Sequence, residues 1–106
     1  MKNKYIEIKT TYKKLSLAKK IATKLIESKL VACAQISKIQ SCYIFDNKFE
    51  CQNEILLCLK TKKTLYHKIK KVIILEHEYK LPQIISLNID EGDDSYFKWI
   101  DSSLKK

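Results

Sequence analysis

Ile55-Leu56-Leu57-Cys58-Leu59 is a run of five apolar residues with no polar residue between them. A strand of that composition must bury both of its faces. It closes the stretch 30–61, LVACAQISKIQSCYIFDNKFECQNEILLCLKT, which reads as one long β-hairpin turning at Asp46-Asn47-Lys48. Asn47 suits a turn because it tolerates positive φ. On the outgoing strand Val31, Cys33, Gln35 and Ser37 share one face, and Ala32, Ala34, Ile36 and Lys38 the other. An irregularity is expected near 38–40, after which Tyr43 and Phe45 share a face opposite Cys42 and Ile44. A chain of 106 residues supplies one layer of helices and so covers one face of the sheet. The other face is expected to meet a second copy of the chain.

The remaining pattern places elements on both sides of this hairpin. Residues 5–10 alternate as a first strand with Ile6 and Ile8 inward. Leu15, Ala18, Ala22, Leu25 and Ile26 recur at helical spacing and predict a helix over 14–29, with Thr10, Thr11 or Ser16 as cap. A second helix opens at Thr61 or Thr64 and runs to Glu76, with Leu65, Ile69, Val72 and Ile73 inward. Pro82 stops any helix, residues 84–89 form the last strand, and Gly92 ends it. Asp93 or Asp94 caps a short final helix in which Tyr96, Ile100 and Leu104 share a face. The order is β-α-β-β-α-β plus a helix. That is an α+β, ferredoxin-like βαββαβ sandwich with a long central hairpin, expected as a single domain over 1–106.

Composition narrows the partners. No apolar run approaches the ~20 residues that span a membrane, so no membrane partner is expected. The basic start Met1-Lys2-Asn3-Lys4 leads into charged alternation and not into a signal-peptide core, which makes the cytoplasm the expected location. Formal net charge is +9, yet every basic side chain is Lys and Arg is absent. Arg is the residue for bidentate phosphate and guanine contacts, so nucleic acid is not expected as a partner and the lysines read as a solvated surface.

Cys33, Cys42, Cys51 and Cys58 show no C-x-x-C spacing and are expected as free thiols that contribute little to assembly. One glycine and two histidines exclude a phosphate loop, a dinucleotide fingerprint and a Ser/Cys-His-Asp constellation. His67 reads as solvated. His77 lies at a helix end among Glu76, Glu78 and Tyr79, where an imidazole and carboxylates converge, as a capping group or a metal ligand.

LVACAQI (30–36), YIFDNKFE with Glu54 following, LKT (59–61), HEYKLPQI (77–84) and GDDSYFKWI (92–100) resemble the CutA-type divalent-cation tolerance proteins, in order, from Tyr5 to Leu104. The resemblance implies a cytoplasmic homotrimer assembled through its sheet, linked to copper tolerance and divalent copper binding, with no established enzymatic activity. Cys33, Tyr43, Glu54, Lys60, His77, Tyr79, Pro82, Gly92, Tyr96 and Trp99 match positions the family fills the same way, and the resemblance places Cys33, Tyr43, Glu54, Lys60, Tyr79, Pro82 and Trp99 at an inter-subunit cleft. Phe45, Asn47 and Gln35 stand where Trp, Gly and Asn are usual. Thr10, Glu76 and His77 stand where the best-described Cu²⁺ site has a Cys and two His, which leaves His77 and Glu76 as metal candidates. PII-like signalling trimers, which bind a small molecule or a partner protein, share the fold and form the alternative reading. A nucleic-acid-binding sheet would display aromatics where the strand ILLCLK displays aliphatics.

Overall fold

The computed structural model describes residues 4–105. Its elements are β1 (Tyr5–Tyr12), α1 (Leu15–Glu27), β2 (Cys33–Phe45), β3 (Lys48–Lys62), a 3₁₀ turn (Lys63–Leu65), α2 (Tyr66–Leu75), β4 (Ile84–Asn88) and α3 (Asp94–Ser103). The strands form one antiparallel sheet in the order β2-β3-β1-β4, the ferredoxin-like arrangement.

Alternation along β1 sets the two faces. Ile6, Ile8, Thr10 and Tyr12 are fully buried, opposite Thr61, Leu59, Leu57 and Ile55 of β3. Over them lie Ala18, Ile21, Ala22 and Leu25 from α1 and Ile69 and Ile73 from α2. Thr61 is buried without cost because its hydroxyl donates to the Leu30 carbonyl at 2.6 Å. The opposite face carries Glu7, Lys9 and Thr11 of β1, Glu54, Leu56, Cys58 and Lys60 of β3, and Ile85 and Leu87 of β4. Ile85 and Leu87 are 44% and 47% exposed there. The apolar run 55–59 is thus divided between a covered face and an open one.

Several details differ from the sequence expectations. The hairpin turn is two residues long, because both Asp46 and Asn47 take positive φ (53° and 62°), and Lys48 already belongs to β3. No irregularity interrupts residues 38–40. Thirteen consecutive pairs run from Cys33↔Lys60 to Phe45↔Lys48 in unbroken register. That register sets Cys42 directly opposite Cys51, and the two form a disulfide, so only Cys33 and Cys58 are free thiols. β1 continues two residues past Thr10, which brings Tyr12 into the core.

None of Thr10, Thr11 and Ser16 caps α1. Lys14 is the N-cap, without a side-chain bond, and Glu78 accepts the backbone N–H groups of Lys13 and Lys14. α2 likewise has no side-chain cap, since the 3₁₀ turn leads directly into it. Asp93 does cap α3, accepting the Tyr96 N–H at 3.2 Å. The apolar side of α3 is Phe97, Ile100 and Leu104, with Phe97 stacked on Tyr5 at 4.3 Å, while Tyr96 faces outward.

β3 pairs with β1 only from Ile55 onward. Residues 39–45 and 48–54 therefore project as a two-stranded ribbon with a bare apolar tip. Ile44, Phe45 and Phe49 are 67%, 66% and 70% exposed.

Candidate functional site

The end of β1, the loop after α2 and the root of the ribbon meet around His77. Its ring stacks on Tyr12 at 4.4 Å and tilts against Tyr79 at 5.2 Å. The Tyr79 backbone N–H donates to Nδ1 at 3.1 Å, so Nδ1 carries no proton. In the neutral ring Nε2 holds the proton and faces Thr10 Oγ1 at 3.3 Å. The Tyr79 hydroxyl donates to Glu54 Oε2 at 2.7 Å, which ties the loop to the ribbon root. Beside it runs a groove of about 550 Å³ lined by Lys13, Lys38, Ile39, Gln40, Asn53, Glu54 and Ile55.

Burial drives the electrostatics of this cluster. It pushes the His77 pKa below the usual imidazole value, and the Thr11 backbone, Glu78 and Glu54 oppose it without reversing it. A second proton would also have to sit on Nδ1, donor against the Tyr79 N–H donor. Burial likewise raises Tyr79 well above the ordinary phenol value, and its bond to Glu54 adds to the shift. Tyr12 is raised by burial and then by Glu78 and Glu76, and its hydroxyl has no hydrogen-bond partner among the described residues.

Glu76 does not join His77. Lys20 and Lys24 of α1 draw its carboxylate away at 3.0 and 3.1 Å and hold its pKa below the usual carboxylate value. The pair expected to chelate a metal is therefore split by the helix layer, and both His77 nitrogens are engaged. No group of three or more His, Cys, Asp or Glu assembles among the described residues. The donors of one subunit do not fit a resident Cu²⁺ ion.

The expected cleft residues fall into separate places in one subunit. Glu54 and Tyr79 touch, and half-buried Pro82 follows in the same loop. Tyr43 stands on the ribbon. Lys60 lies six residues farther along β3 than Glu54, about 20 Å at ~3.3 Å per residue. There it donates to Glu7 Oε2 at 3.1 Å and to Gln35 Oε1, with Cys33 as its cross-strand partner. Burial pushes the Glu7 pKa up, but Lys60 and Lys9 outweigh it and leave the carboxyl below its usual value. Lys9 Nζ also reaches Cys58 Sγ at 3.4 Å. Trp99 stands on α3, 45% exposed and stacked on Tyr96. Tyr12, Glu7 and Lys9 were not singled out from the sequence as members of these clusters. The Tyr12 signal was there, since alternation from Ile6 continues through Thr10 to Tyr12.

The His77 geometry predicts a pH effect. Its folded pKa lies below the unfolded value near 6.5, so its share of stability is full above that pH and is lost as pH falls through the folded pKa. Urea midpoints taken between pH 7.5 and 5 should fall on the acid side. His77→Gln should flatten that fall. The same pH profile in both proteins would remove the imidazole as its cause.

Comparison with known proteins bears on the whole chain. The model of the family described as CutA1 divalent ion tolerance protein matches residues 6–103. The divalent-cation tolerance protein CutA of Pyrococcus horikoshii is 31% identical over 101 residues, covering 95% of this chain and 99% of that protein. The chloroplastic protein CutA of Arabidopsis thaliana is 34% identical over 82% of this chain, which spans about half (48%) of that longer relative. The crystal structure of CutA1 from Shewanella sp. SIB1 superposes with a TM-score of 0.93 at 33% identity, over 100% of both chains.

Proposed function

The chain belongs to the CutA1 divalent ion tolerance family, and from that premise we propose that it works as a cytoplasmic homotrimer holding a divalent ion or small anionic ligand between subunits. The observation that carries this reading is the open sheet face. Ile85 and Leu87 are exposed there and Leu56 half-buried, with no helix of the described residues over them, while the opposite face is closed by helices. Closed cyclic assembly is the common way to cover such a face without leaving a free edge. The hairpin ribbon supplies a second bare apolar surface that a neighbour can seat.

A ligand site shared between subunits follows from what one subunit lacks. Copper, the ion the resemblance names, finds one engaged imidazole and a carboxylate turned away. Donors from a neighbouring copy must complete any site at the ribbon root, where Tyr79, Glu54 and the groove already meet. The cytoplasmic assignment rests on the family resemblance. The Cys42–Cys51 bond is then one that a reducing compartment opens. No catalytic step is proposed.

Native mass spectrometry with and without Cu²⁺ tests both parts. The expected result is a trimer in either condition, with metal retained only by the trimer. A monomer at micromolar concentration would overturn the assembly. Metal retained by a dissociated subunit would place the site within one chain.

A further inference from the structure

The distribution of charge over the fold is uneven. Residues 13–29 and 62–75, which hold α1 and α2, carry eleven lysines and one acidic residue, Glu27. The other seventy-five residues carry ten lysines and eleven acidic residues and come close to neutrality. The excess charge of the protein therefore sits on the two helix-bearing segments, with six of the eleven lysines inside α1 and α2 and the other five on the residues flanking them. A solvated helix surface ordinarily mixes both signs more evenly, and this one carries lysine in large excess.

Lys19, Lys68, Lys70 and Lys71 are exposed and form no ion pair among the described residues, while Lys20 and Lys24 share the single carboxylate of Glu76. At the C-terminal end of α2 the polar covering stops. Ile74 and Leu75 are 51% and 80% exposed, and Leu81 in the following loop is 91% exposed.

We propose that this helix layer docks on the surface of an anionic lipid bilayer. Lysine without arginine gives point charges suited to a diffuse layer of headgroups, and no guanidinium fork to grip a nucleic-acid backbone. The bare side chains next to the lysines are aliphatics that can enter the headgroup boundary, not aromatics that stack on bases. Contact is peripheral. No described helix is long and apolar enough to cross a membrane. The layer faces away from the open sheet face, so assembly through the sheet leaves it free, and the inference does not depend on the proposed trimer.

The test is co-sedimentation of the full chain with phosphatidylcholine vesicles, with and without phosphatidylglycerol. Binding is expected only to the anionic vesicles and should vanish at ~1 M salt, where the screening length falls to ~3 Å. Each lysine near such a surface is worth about fivefold in partition, the equivalent of about 1 kcal/mol. Lys68→Glu with Lys70→Glu and Lys71→Glu should therefore weaken binding by a hundredfold or more on the order of that estimate. Lys38→Glu with Lys48→Glu and Lys98→Glu changes net charge equally but lies outside the layer, and should weaken it far less. Circular dichroism confirms that both variants fold. Equal loss in the two triple variants, or no binding to anionic vesicles at low salt, overturns the proposal. So does preference for a duplex oligonucleotide when both are offered, which would give the layer to nucleic acid.

Discussion

Leu87→Lys is expected to dissociate the proposed trimer while leaving the subunit folded. Leu87 lies on the open face, 47% exposed in the isolated subunit, so its replacement leaves the core untouched. Its cross-strand partner Glu7 is already held by Lys60 and Lys9, so the new lysine finds no free carboxylate and rests in water in the isolated subunit. In an assembly formed through that face, the same lysine becomes a buried charge. An uncompensated buried charge costs about 3–5 kcal/mol, and symmetry repeats it in every subunit. The dissociation constant should rise by more than ~100-fold, since each ~1.4 kcal/mol is tenfold. Leu57→Ala is the contrasting change on the same sheet. Leu57 is fully buried between Thr10 and Ile36 on the helix-covered face, and truncation there should cost about 2–5 kcal/mol of subunit stability. Sedimentation equilibrium and urea unfolding separate the two outcomes. A trimer that persists in Leu87→Lys would show that the sheet face is not the contact.

The contrast between these leucines marks how far the sequence could be read. The uninterrupted apolar run at 55–59 showed that two covers were needed, and the β-α-β-β-α-β order placed helices on one side. Local signals were enough for that. Register also could have been followed further. Cys42 and Cys51 are equidistant from a two-residue turn at Asp46-Asn47, so assigning three residues to the turn concealed their pairing. Other features were not locally encoded at all. Glu78 binds backbone groups of Lys13 and Lys14 from 65 and 64 residues away, and Glu76 is drawn to α1 although His77 is its chain neighbour. Sequence adjacency placed Glu76 and His77 in one site, while helix packing turned their side chains apart. Glu54 and Tyr79 were both picked from the resemblance, but only the crossing of the loop over the ribbon root puts phenol against carboxylate.

Opening the Cys42–Cys51 bond should loosen the ribbon and little else. Two-stranded ribbons are marginal in water without a third strand or a packed face, and beyond Ile55 this one has no third strand among the described residues. The bond spans nine residues of sequence. Closing so short a loop removes unfolded-state entropy worth about 3 kcal/mol at most, so the double change Cys42→Ser with Cys51→Ser should lower global stability by no more than that. The local effect is larger in proportion. Amides of 40–53 have only ladder partners across the ribbon, and without the cross-link their exchange should approach that of a fraying end. Those of β1 and of 55–61, fixed under the helices, should keep their protection. Both cysteines are exposed, so a small-molecule dithiol can reach the bond, take the disulfide's place in oxidised form and leave two protein thiols. Hydrogen exchange by mass spectrometry with and without that reductant is the measurement, with a thiol count alongside. Counted in denaturant, because Cys58 is buried in the native subunit, two thiols should become four, and in the native protein fast exchange should appear only at 40–53. Four thiols before any reductant would show that the pair does not bond in solution. Four after it with unchanged exchange would show that the ribbon holds its register by its ladder alone.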